Sequence, residues 1–298
     1  MKTYIECIPC FFNQAISASK MLGVSSNVQK RILDRVAQKI PEISVTDPPP
    51  VVAKGIYRII SKETGVADPF KDIKKQSTRL ALKLYPSFKK AVRNSRDPFA
   101  KALEVAGMGN VIDFGAKYTG HMDTQINQFM RGKMPRTFSK QIPRSVVSGL
   151  KRKILKSRNL LYLGDNAGET VFDRIFIEEI KKRAPGVKIT YVVRDKAIIN
   201  DALIEDAEAA GISAFARIVS TGNGYSGLVL KQTTDEFRKL FNKADLVISK
   251  GQGNFETLSG CRRQLYFLFL IKCSVVARHI KCKIGEVVLY KKMKNNKI

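Results

Sequence analysis

From about Lys151 onward the chain alternates short β-branched or aromatic runs with amphipathic stretches, and no other feature restricts its fold as strongly. NLLYLG reads as a strand, ETVFDRIFIEEIKKRAPG as a helix closed by a basic turn and Pro-Gly, and KITYVVRD as a second strand. The helix IINDALIEDAEAAG, the strand FARIVSTG, the helix TTDEFRKLFNKA and the strand DLVISKGQG follow. Strands separated by single helices form βαβ units and a mainly parallel sheet. The apolar segment from Leu265 to Ile271 reads as a buried helix, and SVVA and EVVLY as short final strands.

The first half has a different period. In NVQKRILDRVAQKI the residues Val28, Ile32, Leu33, Val36 and Ile40 recur on one helix face, and Pro41 with the Asp47 to Pro50 run ends it. VVAKGIYRIISKETG stops at Gly65, and DIKKQSTRLALKLYPSFKKAVRNS is expected to break near Pro86. The organisation expected is therefore a helical domain over 1–150 and an α/β domain with a mainly parallel sheet over 151–298.

Composition narrows the function. A chain of 298 residues with 44% hydrophobic and 27% charged residues has a globular balance, and no apolar run approaches the roughly 18 residues of a membrane span. MKTYIECIPC lacks the apolar stretch of a secretory signal, and five scattered cysteines suit a reducing, cytoplasmic setting. The formal net charge of +27 makes nucleic-acid binding a rival function. Its basic residues are spread along the chain, however, and form no aromatic-interleaved stripe or nucleic-acid-binding motif, which favours solvated helix faces. The same field would favour phosphate-bearing small substrates.

Ligands of open α/β sheets bind beyond the carboxyl ends of the strands. The first strand is followed by Gly164, Asp165, Asn166, Ala167, Gly168 and Glu169; the second by Arg194 and Asp195, then Asn200 and Asp201. Ser220, Thr221, Gly222 and Asn223 follow the third, and Lys250 to Asn254 with Glu256 the fourth. Asp and Asn side chains offer hard oxygen ligands for Mg²⁺ or Mn²⁺, with Co²⁺ or Ni²⁺ as further candidates, and such an ion suits phosphate-ester hydrolysis. Lys250 would add positive charge, and the backbone of Gly251 to Gly253 and of Ser220 to Gly222 could form anion nests. Position alone favours Asp195 as much as Asp201 for a third ligand. Asp165 and Asn166 also have a plainer reading, as helix caps, but SKGQGNFE at a second strand end weighs against it. GDNAGE is not the G-x-G-x-x-G of a dinucleotide loop.

GDNAGE, IINDA, SKGQGNFE, the segment MGNVIDFG at Met108 to Gly115, and the N-terminal CIPCFFNQA together resemble the damage-control phosphatase family. The resemblance implies a metal-dependent phosphatase of sugar phosphates or damaged phosphometabolites, with residues 151–298 as a metal-binding catalytic domain folded as an α/β/α Rossmann-like sandwich. It implies Asp165, Asn166 and Asp201 as metal ligands, with Asn110, Asp113, Glu169, Lys250 and Glu256 lining the cleft. Asp165 and Lys250 would be catalytic, and Ser220, Gly222 and Asn254 would help bind the small phosphate ester. Because some members are described as carboxyl methyltransferases, an S-adenosylmethionine-dependent activity is the other enzymatic alternative. Cys7 and Cys10 form a single C-x-x-C, too few ligands for tetrahedral zinc unless Cys273 or Cys282 approaches. Of the two histidines, His121 is the better cleft candidate and His279 the more structural.

Overall fold

Strands buried on both faces feed two separate cores and sort the residues described by the computed structural model, 1–109 and 142–293, into layers. Strands β1 (Asn159–Leu163), β2 (Lys188–Val193), β3 (Arg217–Ser220), β4 (Leu246–Lys250), β5 (Leu265–Leu270) and β6 (Val287–Lys292) form one sheet in the order β3-β2-β1-β4-β5-β6. All neighbours are parallel except the final pair, in which β6 runs against β5. Successive side chains of a strand point to opposite faces. Leu160, Tyr162, Leu246, Ile248, Tyr266 and Leu268 accordingly enter one core, and Leu161, Leu163, Val247, Phe267 and Phe269 the other.

The helices are α1 (Cys7–Met21), α2 (Ser26–Lys39), α3 (Pro49–Thr64), α4 (Lys71–Arg93), α5 (Pro98–Met108) and α6 (Arg144–Leu155), followed by α7 (Thr170–Arg183), α8 (Ile204–Ala209), α9 (Asp235–Lys243), α10 (Gln252–Leu258) and α11 (Ser274–Ile280). The first core is shared by the sheet with α4, α5, α6 and α7, so three helices that begin before residue 151 pack with the sheet. Helices α1, α2 and α3 keep a core of their own, built on Phe11, Ile32, Val36, Ile56 and Ile60. Ile198, from the loop after β2, is buried in it and ties this helical cap to the sheet.

Local chemistry explains most boundaries. Gly65 takes φ 71°, the left-handed conformation that closes α3 without a Cβ penalty. The Asp97 side chain accepts from the N–H groups of Phe99 and Ala100 at the start of α5. Pro86, by contrast, does not break α4, which runs through it from Lys71 to Arg93. An internal proline costs a helix about 3 kcal/mol, and here burial of Ala81, Leu84, Phe88 and Val92 along one face offsets the loss while Pro86 itself faces solvent.

Three expectations at the C-terminal end are corrected. Residues 265–270 are the strand β5, not a helix: Leu265 to Phe269 are buried, which erases the alternation that distinguishes the two. SVVA is the start of α11 and not a strand. The helix expected over IINDALIEDAEAAG is confined to Ile204–Ala209, because residues 198–202 turn back to meet the loop after β1. EVVLY is a strand as expected, within β6.

Candidate active site

The strand order reverses direction between β1 and β4, so the loops beyond their carboxyl ends diverge to opposite faces and leave a crevice. Asp165 and Asn166 stand there, upstream of α7, whose N-cap is Glu169; neither caps the helix. Asn166 pairs with Asp201 in an antiparallel bridge, extended by Ala202 N–H to Asp165 O (2.7 Å) and Ala167 N–H to Asn200 O (2.9 Å). This backbone pairing brings Asp201 to the crevice. Ile199, a β-branched residue at φ 47°, holds the turn that makes it possible, a strained conformation of the kind found at functional sites. Asp195 instead faces solvent, accepting from Ser220 Oγ (2.9 Å).

Gly251, at φ 79°, follows β4 directly beneath the Asp165 side chain, and a Cβ there would fall inside the carboxylate. Glycine at 251 is thus required twice, by its backbone and by the close approach. Arg194, 2% exposed, donates from Nε to Asp201 Oδ2 (2.7 Å) and from Nη2 to Asn254 Oδ1 (3.1 Å). Asn254 donates in turn to the carbonyls of Gly164 (3.2 Å) and Lys250 (2.8 Å), so one arginine and one asparagine lock three strand ends together.

Behind this layer lies a second, fully buried network. Lys250 Nζ donates to Ala106 O (2.8 Å), to Asp173 Oδ1 (2.6 Å) and to Glu169. Asp173 also accepts from the hydroxyls of Tyr162 and Tyr191, each at 2.8 Å. An ammonium has three N–H donors, and those of Lys250 are directed inward to these acceptors. The expectation that it would present its charge to a phosphate therefore differs from what is found: at 0% exposure it is the counter-ion of Glu169 and Asp173. Burial pulls its ammonium pKa down, but the two carboxylates more than offset this and raise it. Glu169 is raised mainly by burial, against the pull of Lys250. Asp201 is raised for the same first reason, with Arg194 opposing and Asp165 adding to it.

Glu256 approaches from α10, with Oε1 accepting from Gln252 Nε2 (2.8 Å). Burial, foremost, pushes its carboxyl up to about 7. Gln252 also accepts from the Lys272 N–H (2.8 Å), which brings the end of β5 to the site. Lys272 is exposed, and its charge acts on both Asp201 and Glu256. It escapes sequence reasoning because residues 265–271 read as a helix, so the residue after them does not register as a strand end. Asp173 is detectable in the sequence as a carboxylate one helical turn from Glu169 on an otherwise apolar face.

Ser220 and Gly222 lie at the rim, where the Gly222 N–H donates to Ser220 Oγ (3.3 Å); the Gly251 N–H donates to Leu268 O (3.3 Å). Two of the N–H groups expected to form anion nests are thus engaged. Cys7, half-buried at the start of α1, feels Glu256, Cys273 and Cys10, so of the two later cysteines Cys273 is the one that approaches. Among the described residues no cluster of three or more His, Cys, Asp or Glu side chains could hold a metal. His279, half-buried, packs edge-on against the core residue Phe255. Asn110, Asp113 and His121 lie outside the described residues, although Gly109, just before Asn110, packs against Glu169.

Known proteins are similar to this chain in sequence and in fold. A family model described as the damage-control phosphatase ARMT1-like domain matches residues 3–288. Damage-control phosphatase PH1575 of Pyrococcus horikoshii is 32% identical over 291 residues, which span 97% of each chain. A damage-control phosphatase of Archaeoglobus fulgidus is 32% identical over 297 residues, 97% of this chain and 98% of that one. The crystal structure of a DUF89 family protein from P. horikoshii superposes with a TM-score of 0.85 at 30% identity, covering 98% of this chain and 100% of the other. No helix of the described residues is long and apolar enough to cross a membrane.

Proposed function

The chain belongs to the damage-control phosphatase ARMT1-like family, and from that premise we propose that it is a divalent-metal-dependent phosphatase hydrolysing monoesters of sugar phosphates or damaged phosphometabolites. Family membership and the names of the relatives support a phosphatase, hence hydrolytic, role. The metal and the substrate class are our reading of the site.

The observation that carries this reading is the placing of the Asp165 carboxylate hard against Gly251, beside Asn166 paired with Asp201, at the switch point of the sheet. Five buried carboxylates, Asp165, Glu169, Asp173, Asp201 and Glu256, converge on two buried cations, Arg194 and Lys250. Carboxyls buried in such excess are accommodated by taking protons or by further positive charge, and a divalent ion would supply the latter. Two carboxylates and an amide oxygen are hard donors that suit Mg²⁺ or Mn²⁺, with water and substrate oxygens completing the shell. We assign Asp165, Asn166 and Asp201 as the ligands.

A bound ion of this kind supplies Lewis acidity at a phosphoryl oxygen and acidifies water. The chain supplies positioning. Arg194 fixes the Asp201 carboxylate by a charge-assisted hydrogen bond, and Asn254 fixes Arg194. Lys250 holds Glu169 against the end of α5, so its contribution to catalysis runs through Glu169 and not through the phosphate. We assign Asp165 to orient a water for in-line attack, and Lys272, exposed and electrostatically felt by Asp201 and Glu256, to meet incoming anionic substrate. Ser220 and Gly222 at the rim are assigned to the non-reacting part of the ester.

Phosphate release from a panel of sugar phosphates, measured with chelator-treated protein before and after adding Mg²⁺, Mn²⁺, Co²⁺ or Ni²⁺, tests the reading. Release is expected only with metal, and undiminished release by Asp165→Ala would exclude the assigned ligand set.

A further inference from the structure

The candidate crevice is acidic although the chain carries a net charge of +27, so the positive charge lies elsewhere. Topology sets six of its 53 Lys and Arg residues in one row at the other end of the sheet. Across the order β3-β2-β1-β4-β5 the strands begin with, or are led into by, Arg217, Lys188, Arg158, Lys243 and Arg262, all exposed, and antiparallel β6 returns Lys291 to the same end. At the ordinary strand spacing of about 4.8 Å this row runs about 24 Å. Cations in the last turn of a helix are accounted for by the helix dipole, and Lys243 fits that account. Arg158, Lys188, Arg217 and Arg262 lie in loops or strands and do not.

Within the row the surface dips into a cavity of about 270 Å³ lined by Lys153, Asp245, Leu246, Arg263 and Gln264. Asp245 is engaged there by the N–H groups of Arg158 and Asn159, both at 2.8 Å. Arg263 spends Nη1 on the carbonyls of Phe241 (2.5 Å) and Asn242 (3.0 Å), while its buried Nε–H has no hydrogen-bond partner among the described residues. The guanidinium of Arg263 and the Lys153 ammonium thus stand in the lining beside the Asp245 carboxylate, whose two N–H partners take up part of its acceptor capacity.

We propose that this end of the sheet binds the phosphate backbone of a single-stranded polynucleotide, with Lys153 and Arg263 seating one phosphate and the exposed cations on either side tracking the chain. A small phosphate ester reaches two or three positions of the row, whereas an extended polyanion engages them all and gains the release of its condensed counterions. The surface lies a strand's length from the crevice, so occupation of one leaves the other open. The proposal is independent of the phosphatase reading.

The test is fluorescence anisotropy of the full chain with a labelled single-stranded RNA long enough to span the row, titrated between about 50 and about 200 mM salt. The triple variant Lys188→Gln, Arg217→Gln, Arg262→Gln is expected to bind at least tenfold more weakly. Its log–log salt slope is expected to be shallower by about 2, because each phosphate that is no longer neutralised lowers it by about 0.7. A control that neutralises Lys20, Lys62 and Lys83, exposed cations on α1, α3 and α4, is expected to bind as the parent does. Equal losses in both triples would mean a diffuse field and overturn the proposal. So would absence of salt-dependent binding by the parent chain. Binding to phosphatidylserine vesicles with the same dependence on the three residues, but none to RNA, would assign the row to a membrane surface and overturn the polynucleotide.

Discussion

Replacing Lys250 by Met keeps the aliphatic stem and removes one charge from a place where none of the side chain reaches water. Lys250 is held by Ala106 O, Asp173 and Glu169. Breaking a buried pair by deleting one partner costs about 3–5 kcal/mol, against a total stability of about 5–15 kcal/mol for a typical domain. The loss here is tempered because Asp173 keeps two tyrosine donors at 2.8 Å and Glu169 can neutralise itself by taking a proton. Both carboxylates already sit above their ordinary range, and without the lysine they move further up. A carboxyl whose folded pKa is raised loses stability as pH climbs from the unfolded value through the folded one. The deficit of Lys250→Met should accordingly be near 3 kcal/mol at mildly acid pH and approach about 5 kcal/mol above neutrality. Urea unfolding followed by circular dichroism at several pH values measures it. Adding Glu169→Gln should return at least about 1 kcal/mol, since the two residues are directly coupled. A pH-independent deficit below about 1 kcal/mol, accompanied by collapse of activity, would refute the buried counter-ion role and restore Lys250 to the phosphate.

Three other perturbations probe the site. Gly251→Ala forces a Cβ into the Asp165 carboxylate at φ 79°; we expect stability to fall by about 1–3 kcal/mol and kcat/KM at least 100-fold, and near-normal turnover would show that the close approach is dispensable. Arg194→Lys cannot serve Asp201 and Asn254 together, so metal affinity by titration calorimetry should drop about 10–100-fold, and an unchanged affinity would remove Arg194 from the ligand support. Glu256, raised to about 7 from 4.5 chiefly by burial, costs stability as pH rises through that window. Glu256→Gln should become more stable relative to the parent across the same window, by at most about 3 kcal/mol, whereas a parallel pair of pH–stability curves would contradict the raised carboxyl.

The second half of the chain is legible in sequence wherever turn chemistry is explicit or a helix buries one face. β1, β2 and β4 follow from β-branched runs closed by polar or glycine-bearing turns, and α9 from its one apolar face. β5 does not, because Leu265 to Phe269 are buried on both faces of the sheet and a short unbroken apolar run does not disclose its period. Lys272 is hidden for the same reason. Pro86 misleads in the opposite sense, through a local penalty overruled by tertiary packing. At the crevice, the presence of Asp165 and Asn166 follows from their place after β1. The arrival there of Asp201, and not Asp195, does not, since it depends on a two-strand bridge whose partners are 35 residues apart in sequence, at 166 and 201. The role of Lys250 is not legible because its partners lie on α5 and α7, and no local pattern announces them.

The most direct test of the account couples metal content to turnover in one sample. Chelator-stripped protein, reloaded stepwise with Mn²⁺, should regain hydrolysis of p-nitrophenyl phosphate in proportion to bound metal and saturate at one ion per chain. Asp165→Ala and Asp201→Asn, folded by circular dichroism, should neither retain the ion nor recover. Full hydrolysis by the stripped protein, or metal-restored activity in both variants, would contradict it.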